Sequence, residues 1–84
     1  MRLTIYSKPG CHLCDDMKST VRRVLSMRTA EHTISVEDID ISVDPALLDR
    51  YGLEIPVLLI DGRKAAKYRV SEQELTQMLD RRRG

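Results

Sequence analysis

Tryptophan and phenylalanine are absent from this 84-residue chain, and three tyrosines are its whole complement of large aromatic side chains. A basic surface with interleaved aromatics, which single-stranded nucleic acid needs for stacking, is therefore missing. Net charge is scarce as well: 14 Lys and Arg against 13 Asp and Glu leave +1. No global field draws in nucleic acid or an anionic membrane, so partner choice must come from a local surface. No apolar run approaches the ~20 residues that span a bilayer, and Met1-Arg2-Leu3-Thr4-Ile5-Tyr6 is too short an apolar start for a secretory signal. The expectation is a monomer in the reducing cytoplasm, with neither nucleic-acid nor membrane partners.

Cysteine is equally sparse, with Cys11 and Cys14 the only pair. Small secreted domains stapled by disulfides usually carry four or more. Closing a four-residue loop restrains the unfolded chain by only about 2 kcal/mol, against about 4.7 kcal/mol for a hundred-residue loop. Chemistry explains the pair better than stapling does. Structural zinc needs four ligands, and the chain offers only His12 and His32 besides the cysteines. His12 lies between the thiols on a helix and points away from the position that would join them, and His32 reads as a loop residue. A chain this short buries only about 60% of its unfolded surface, so residues 1–84 are expected to form one domain with one modest core.

The chain divides cleanly by period. Leu3 to Tyr6 alternates as a strand and runs into the turn Ser7-Lys8-Pro9-Gly10. From Leu13, the residues Cys14, Met17, Val21, Val24 and Leu25 recur at helical spacing, predicting an amphipathic helix that ends near Met27 to Ala30. Ile34 and Val36 alternate, then Ile39 and Ile41 alternate in the opposite phase, which predicts a second strand with a bend or bulge. Asp44-Pro45 caps a short helix with an apolar face of Leu47, Leu48 and Tyr51, closed by Gly52. Ile55 to Ile60 is an apolar strand, Asp61-Gly62 a hairpin turn, and about Lys64 to Arg69 the return strand. Ser71 and Glu74 form a capping box, with Val70 and Leu75 as its staple, for a last helix running to about Arg81. Arg81 to Arg83 complement that helix's negative end. The order β-α-β-α-β-β-α predicts an α/β fold: a four-stranded mixed sheet with helices on both faces.

Cys11-His12-Leu13-Cys14 falls where the first strand hands over to the helix, at unpaired amides and the positive end of the macrodipole. A thiolate at Cys11 is favoured there, with Lys8 and His12 adding positive charge and Asp15 and Asp16 opposing it. Cys14 falls on the apolar stripe, whereas Cys11 lies at the exposed end. Attack therefore belongs to Cys11, and resolution to Cys14.

Tyr6-Ser7-Lys8-Pro9-Gly10-Cys11-His12-Leu13-Cys14 resembles the active-site segment of glutaredoxin-like proteins, and Ile55-Pro56 matches their cis-proline position. The likeness spans nearly the whole chain, because the element order is that of the minimal thioredoxin fold. It implies that Ile55 and Pro56, with Pro9 and Gly10, shape the edge on which an extended substrate docks. Many glutaredoxins carry Gly-Gly after the last strand, where the backbone approaches glutathione; Arg69-Val70-Ser71 stands there in this chain, and Glu54 replaces the usual threonine before Ile55-Pro56. Ser71 still heads a helix whose N–H groups can accept a carboxylate. The implied activity is thiol–disulfide exchange on protein or small-molecule disulfides, with a thiol-based electron donor, no bound cofactor and glutathione as one candidate co-substrate. The rival readings are a redox-inactive or redox-sensing binding module and, behind it, zinc or iron–sulfur binding through the cysteine pair.

Overall fold

The chain is described by a computed structural model covering residues 1–28 and 34–83. The expectations for His32 and for a helix end at Ala30 lie outside the described residues. The elements are β1 (Arg2–Ser7), α1 (His12–Ser26), β2 (Ser35–Asp40), a 3₁₀ turn (Ile41–Val43), α2 (Pro45–Tyr51), β3 (Val57–Ile60), β4 (Arg63–Lys67) and α3 (Glu72–Arg83).

The sheet order is β2-β1-β3-β4. β1 and β2 are parallel, with Leu3 beside Val36 and Tyr6 beside Ile39, as a crossover through α1 requires. β3 returns antiparallel to β1, pairing Leu3 with Ile60 and Tyr6 with Val57. The hairpin then lays β4 along β3. Its turn residues Asp61 and Gly62 have φ of 50° and 86°, the left-handed pair that matches strand twist. Asp61 also ties the hairpin to β1, accepting from the Arg2 amide at 2.8 Å and donating its own amide to the Arg2 carbonyl at 2.8 Å.

Strand alternation sends Leu3, Ile5, Leu58 and Ile60 to one face of the sheet, where they meet Met17, Val21 and Val24 of α1 and Leu75 and Leu79 of α3. Burial of each such side chain stabilises the fold by about 1.5–3 kcal/mol. On the opposite face the Tyr6 ring lies against Tyr51 of α2, centroids 5.0 Å apart. Helices thus cover both faces, and the thioredoxin-like architecture expected from the element order is the one observed. The cover is unequal, because α2 has no buried residue and Leu48 on its expected apolar face is 38% exposed.

Boundaries differ from the sequence expectation where tertiary geometry overrides local pattern. The phase change between Val36 and Ile41 is not a bulge. β2 pairs with β1 in unbroken register to Asp40, and the 3₁₀ turn that follows rotates Ile41 into full burial. The irregularity lies instead between β3 and β4, at Leu58/Leu59. β3 begins at Val57 rather than Ile55, β4 ends at Lys67 before the left-handed Tyr68 (φ 68°), α1 stops at Ser26 and α3 continues to Arg83.

The helix caps follow the sequence closely. The Asp44 carboxylate accepts from the Ala46 and Leu47 amides at 3.0 and 3.2 Å, ahead of Pro45 in the first turn of α2. Gly52 ends α2 for a reason other than left-handed backbone: its φ is −55°, and a Cβ there would sit 2.5 Å from the Leu48 carbonyl oxygen. At α3, the Ser71 amide donates to Glu74 Oε1 and the Glu74 amide donates to Ser71 Oγ, both at 3.0 Å. Val70 and Leu75 pack into the core beside this box.

Candidate active site

The turn from β1 into α1 is made by Ser7-Lys8-Pro9-Gly10. Gly10 adopts φ 77° with open space around it, a conformation that glycine adopts without penalty. The turn delivers Cys11 as the N-cap of α1, in extended conformation (φ −101°, ψ 108°). Its sulfur takes the place usually held by a serine or aspartate oxygen, accepting from the Cys14 amide at 3.1 Å, while its carbonyl accepts from the Asp15 amide at 3.1 Å. Charge on that sulfur would meet an amide donor and the positive end of a 15-residue helix.

Cys11 and Cys14 form a disulfide, with Cα atoms 5.2 Å apart. Cys14 is fully buried, whereas Cys11 is half-buried at the helix tip. The two sulfurs are therefore unequal in access, as the stripe of apolar residues predicted. Lys8 and His12 are both exposed on the same strand-to-helix junction.

Ile55 and Pro56 reach this junction from β3. The Ile55–Pro56 bond is cis, and extending the β1/β3 register by one residue puts Pro56 alongside Ser7, four residues before Cys11. Pro56 is buried, and its carbonyl accepts from the Tyr68 amide at 2.8 Å. Among the described residues, the backbone N–H and C=O of half-buried Ile55 have no hydrogen-bond partner. Glu54 turns toward β4, where it pairs with Lys64 at 2.8 Å and Lys67 at 3.6 Å. The Lys64 hydrogen bond, with the charge of both lysines, holds its carboxyl below the usual glutamate range.

Ser71 lies at the head of α3. Its amide donates to the Glu74 carboxylate and its hydroxyl oxygen accepts from the Glu74 amide, while the Glu72 and Gln73 amides of the first turn have no partner among the described residues. The Ser71 amide, and after it the Ser71 hydroxyl, hold the Glu74 carboxyl below its ordinary value.

Two clefts flank the N-terminal end of α1, and neither was visible in the sequence. One, of about 230 Å³, is bounded by the Ser7–Gly10 turn, Asp15, Lys18, Asp38 and Asp40. Within it Lys18 pairs with Asp38 at 2.8 Å, and Ser7 Oγ donates to Asp38 at 2.8 Å. The other, of about 140 Å³, opens between α1 and the β4–α3 connection, with Leu13, Met17, Thr20, Tyr68 and Val70 in its walls. Leu13 and Met17 lie on the predicted helix stripe, but nothing in the sequence signals the left-handed Tyr68 that swings the connection past them. Among the described residues, no group of three His, Cys, Asp or Glu side chains could hold a metal ion, and no helix is long and apolar enough to cross a membrane.

Comparison with known proteins agrees with this geometry. Residues 2–80 match the sequence model of the glutaredoxin-like domain family. The chain is 25% identical over 77 residues to the glutaredoxin-like protein YDR286C homolog of Dictyostelium discoideum, covering 89% of this chain and 71% of that protein. The X-ray structure of protein XcR50 from X. campestris superposes with a TM-score of 0.69 at 31% identity, over 94% of this chain and 96% of the other. Thioredoxin 1 of Thermosipho africanus superposes with a TM-score of 0.65 over 98% and 93% of the two chains, and at 16% identity shares the fold.

Proposed function

The chain belongs to the glutaredoxin-like domain family, and from that premise we propose that it is a dithiol thiol–disulfide oxidoreductase with Cys11 as nucleophile and Cys14 as resolving thiol. The thioredoxin-like fold together with the Cys11–Cys14 disulfide supports a thiol–disulfide redox role in general. The observation that carries the finer reading is the inequality of the two sulfurs. Cys11 is accessible and caps a helix N-terminus, while Cys14 is sealed one turn behind it.

In the reducing direction, the Cys11 thiolate attacks one sulfur of a substrate disulfide and the other sulfur leaves as a thiolate. Cys14 then loses its proton and attacks Cys11 Sγ, releasing the bound half of the substrate as a thiol. Two electrons have passed from the cysteine pair to the substrate, and the pair is left as the observed disulfide. A thiol-based donor, with glutathione one candidate, restores it. Helix amides stabilise the Cys11 thiolate, and Lys8 and His12 add positive charge on the same junction. The unpaired backbone of Ile55, held by Pro56, offers one N–H and one C=O to an extended substrate, while Pro9 and Gly10 leave the approach to Cys11 open.

On this reading the protein works as a monomer in the cytoplasm on protein or small-molecule disulfides. The test is reduction of insulin or a small disulfide by the reduced protein. Turnover that disappears in Cys11→Ser supports the cycle, and a wild type without turnover would instead make the chain a binding or sensing module.

A further inference from the structure

The cleft of about 140 Å³ begins at Leu13, one of the two residues between the cysteines, and extends past Met17 and Thr20 to Tyr68 and Val70. Its volume is well below the roughly 300 Å³ at which small-molecule sites begin, and is of the order of one bulky apolar side chain. The walls suit such a side chain, since Leu13, Met17 and Val70 offer hydrocarbon.

Among the described residues, Asp16 and Arg69 are the only charged residues in its lining, one of each sign, so hydrocarbon and size rather than charge decide what fits. Asp15 and Asp16 open α1 on one side, with Asp16 itself lining the cleft. Glu72 and Glu74 open α3 on the other. Glu74 accepts from the Ser71 amide at 3.0 Å, and Glu72 is held across the gap by Arg23 at 3.4 Å. Arg69 is the cleft's one cationic member, and the lysines of β4 are engaged by Glu54. A bulky apolar residue flanking a polypeptide cysteine can fill the cleft, whereas glutathione, whose cysteine is flanked by a γ-glutamyl group and a glycine, carries no such side chain and gains nothing from its hydrocarbon walls.

We infer that this cleft is a specificity pocket for a bulky apolar side chain next to the reactive cysteine of a polypeptide disulfide, and that such substrates are preferred over glutathione disulfides. The inference rests on the redox reading above and names the substrate class of that site. The test uses mixed disulfides of thionitrobenzoate with three thiols: a Leu-Cys-Leu amide, a Ser-Cys-Ser amide and glutathione. The protein is reduced beforehand, freed of reductant, and mixed in single turnover. Cys11 Sγ attacks the peptide sulfur, the bond to thionitrobenzoate breaks, and the coloured thiolate leaves; Cys14 then displaces the peptide as a thiol.

The leucine peptide should react at least about tenfold faster than the serine peptide, the discrimination a hydrophobic pocket supplies, and the glutathione adduct should be slowest. In Leu13→Asp the leucine-to-serine ratio should fall toward one, a readout independent of any change in Cys11 reactivity because both probes share the nucleophile. Equal rates on the two peptides, a fastest rate on the glutathione adduct, or a preference retained in Leu13→Asp would each overturn the pocket while leaving the exchange chemistry standing. No colour release from any probe would overturn both.

Discussion

The Cys14 amide nitrogen lies 3.1 Å from Cys11 Sγ, so the buried cysteine contributes to its accessible partner through the backbone as well as through sulfur. This hydrogen bond is the usual N-cap contact with sulfur in place of oxygen. It makes the start of α1 and the reactivity of Cys11 parts of a single arrangement.

Removal of the resolving thiol should separate the two halves of the cycle. Cys14→Ser should accumulate covalent adducts at Cys11 when exposed to disulfide substrates or a cell lysate, detectable by non-reducing electrophoresis and reversed by dithiothreitol. Failure to trap any adduct would contradict a two-thiol mechanism.

Fold stability should depend on buried apolar area far more than on exposed area. Leu75 is fully buried and Leu53 is 94% exposed. Leu75→Ala should cost about 2–5 kcal/mol, while Leu53→Ala should stay within about 0.5 kcal/mol of the wild type. Urea titrations of both variants check this, and comparable midpoints would contradict the assigned core.

Gly52 provides a test of close approach instead of backbone handedness. Since an added Cβ would meet the Leu48 carbonyl oxygen at 2.5 Å, Gly52→Ala should cost about 1–3 kcal/mol by overpacking, although its φ of −55° suits any residue. An alanine variant as stable as the wild type would show that the end of α2 yields readily.

Three carboxyls are held below their ordinary values in the folded chain: Asp40 by the Ser42 hydroxyl and amide, Glu54 by Lys64, and Glu74 by Ser71. A depressed carboxyl stabilises the fold above its unfolded pKa and loses that contribution as pH falls toward the folded value. Stability should therefore decline from about pH 4.5 downward, modestly because solvent screens all three groups. Glu74→Gln keeps a side chain able to cap Ser71 and should flatten the decline. An unchanged slope of urea midpoint against pH would rule Glu74 out as a contributor.

Most of the scaffold was legible in the sequence because its punctuation is chemical. Asp44-Pro45, Asp61-Gly62 and the Ser71/Glu74 box each occupy the cap or turn expected of them. The cysteine placement was legible for a related reason, since Cys14 falls on a helical stripe and Cys11 outside it. What local pattern missed depends on distant partners. Ile41 looked like a strand residue out of phase, yet it is buried by a 3₁₀ turn. Glu54 was a charge of unknown direction until β4 brought Lys64 beside it. The apolar cleft exists only because α1 and the β4–α3 connection meet, residues 13 to 20 against 68 to 70.

The most direct measurement is the pH dependence of alkylation of the fully reduced protein by iodoacetamide, resolved by peptide mass spectrometry. Cys11 should be modified first, with an apparent pKa below about 7.5. Preferential alkylation of Cys14, or a Cys11 pKa near the value of about 8.5 for free cysteine, would contradict an activated thiolate at the tip of α1.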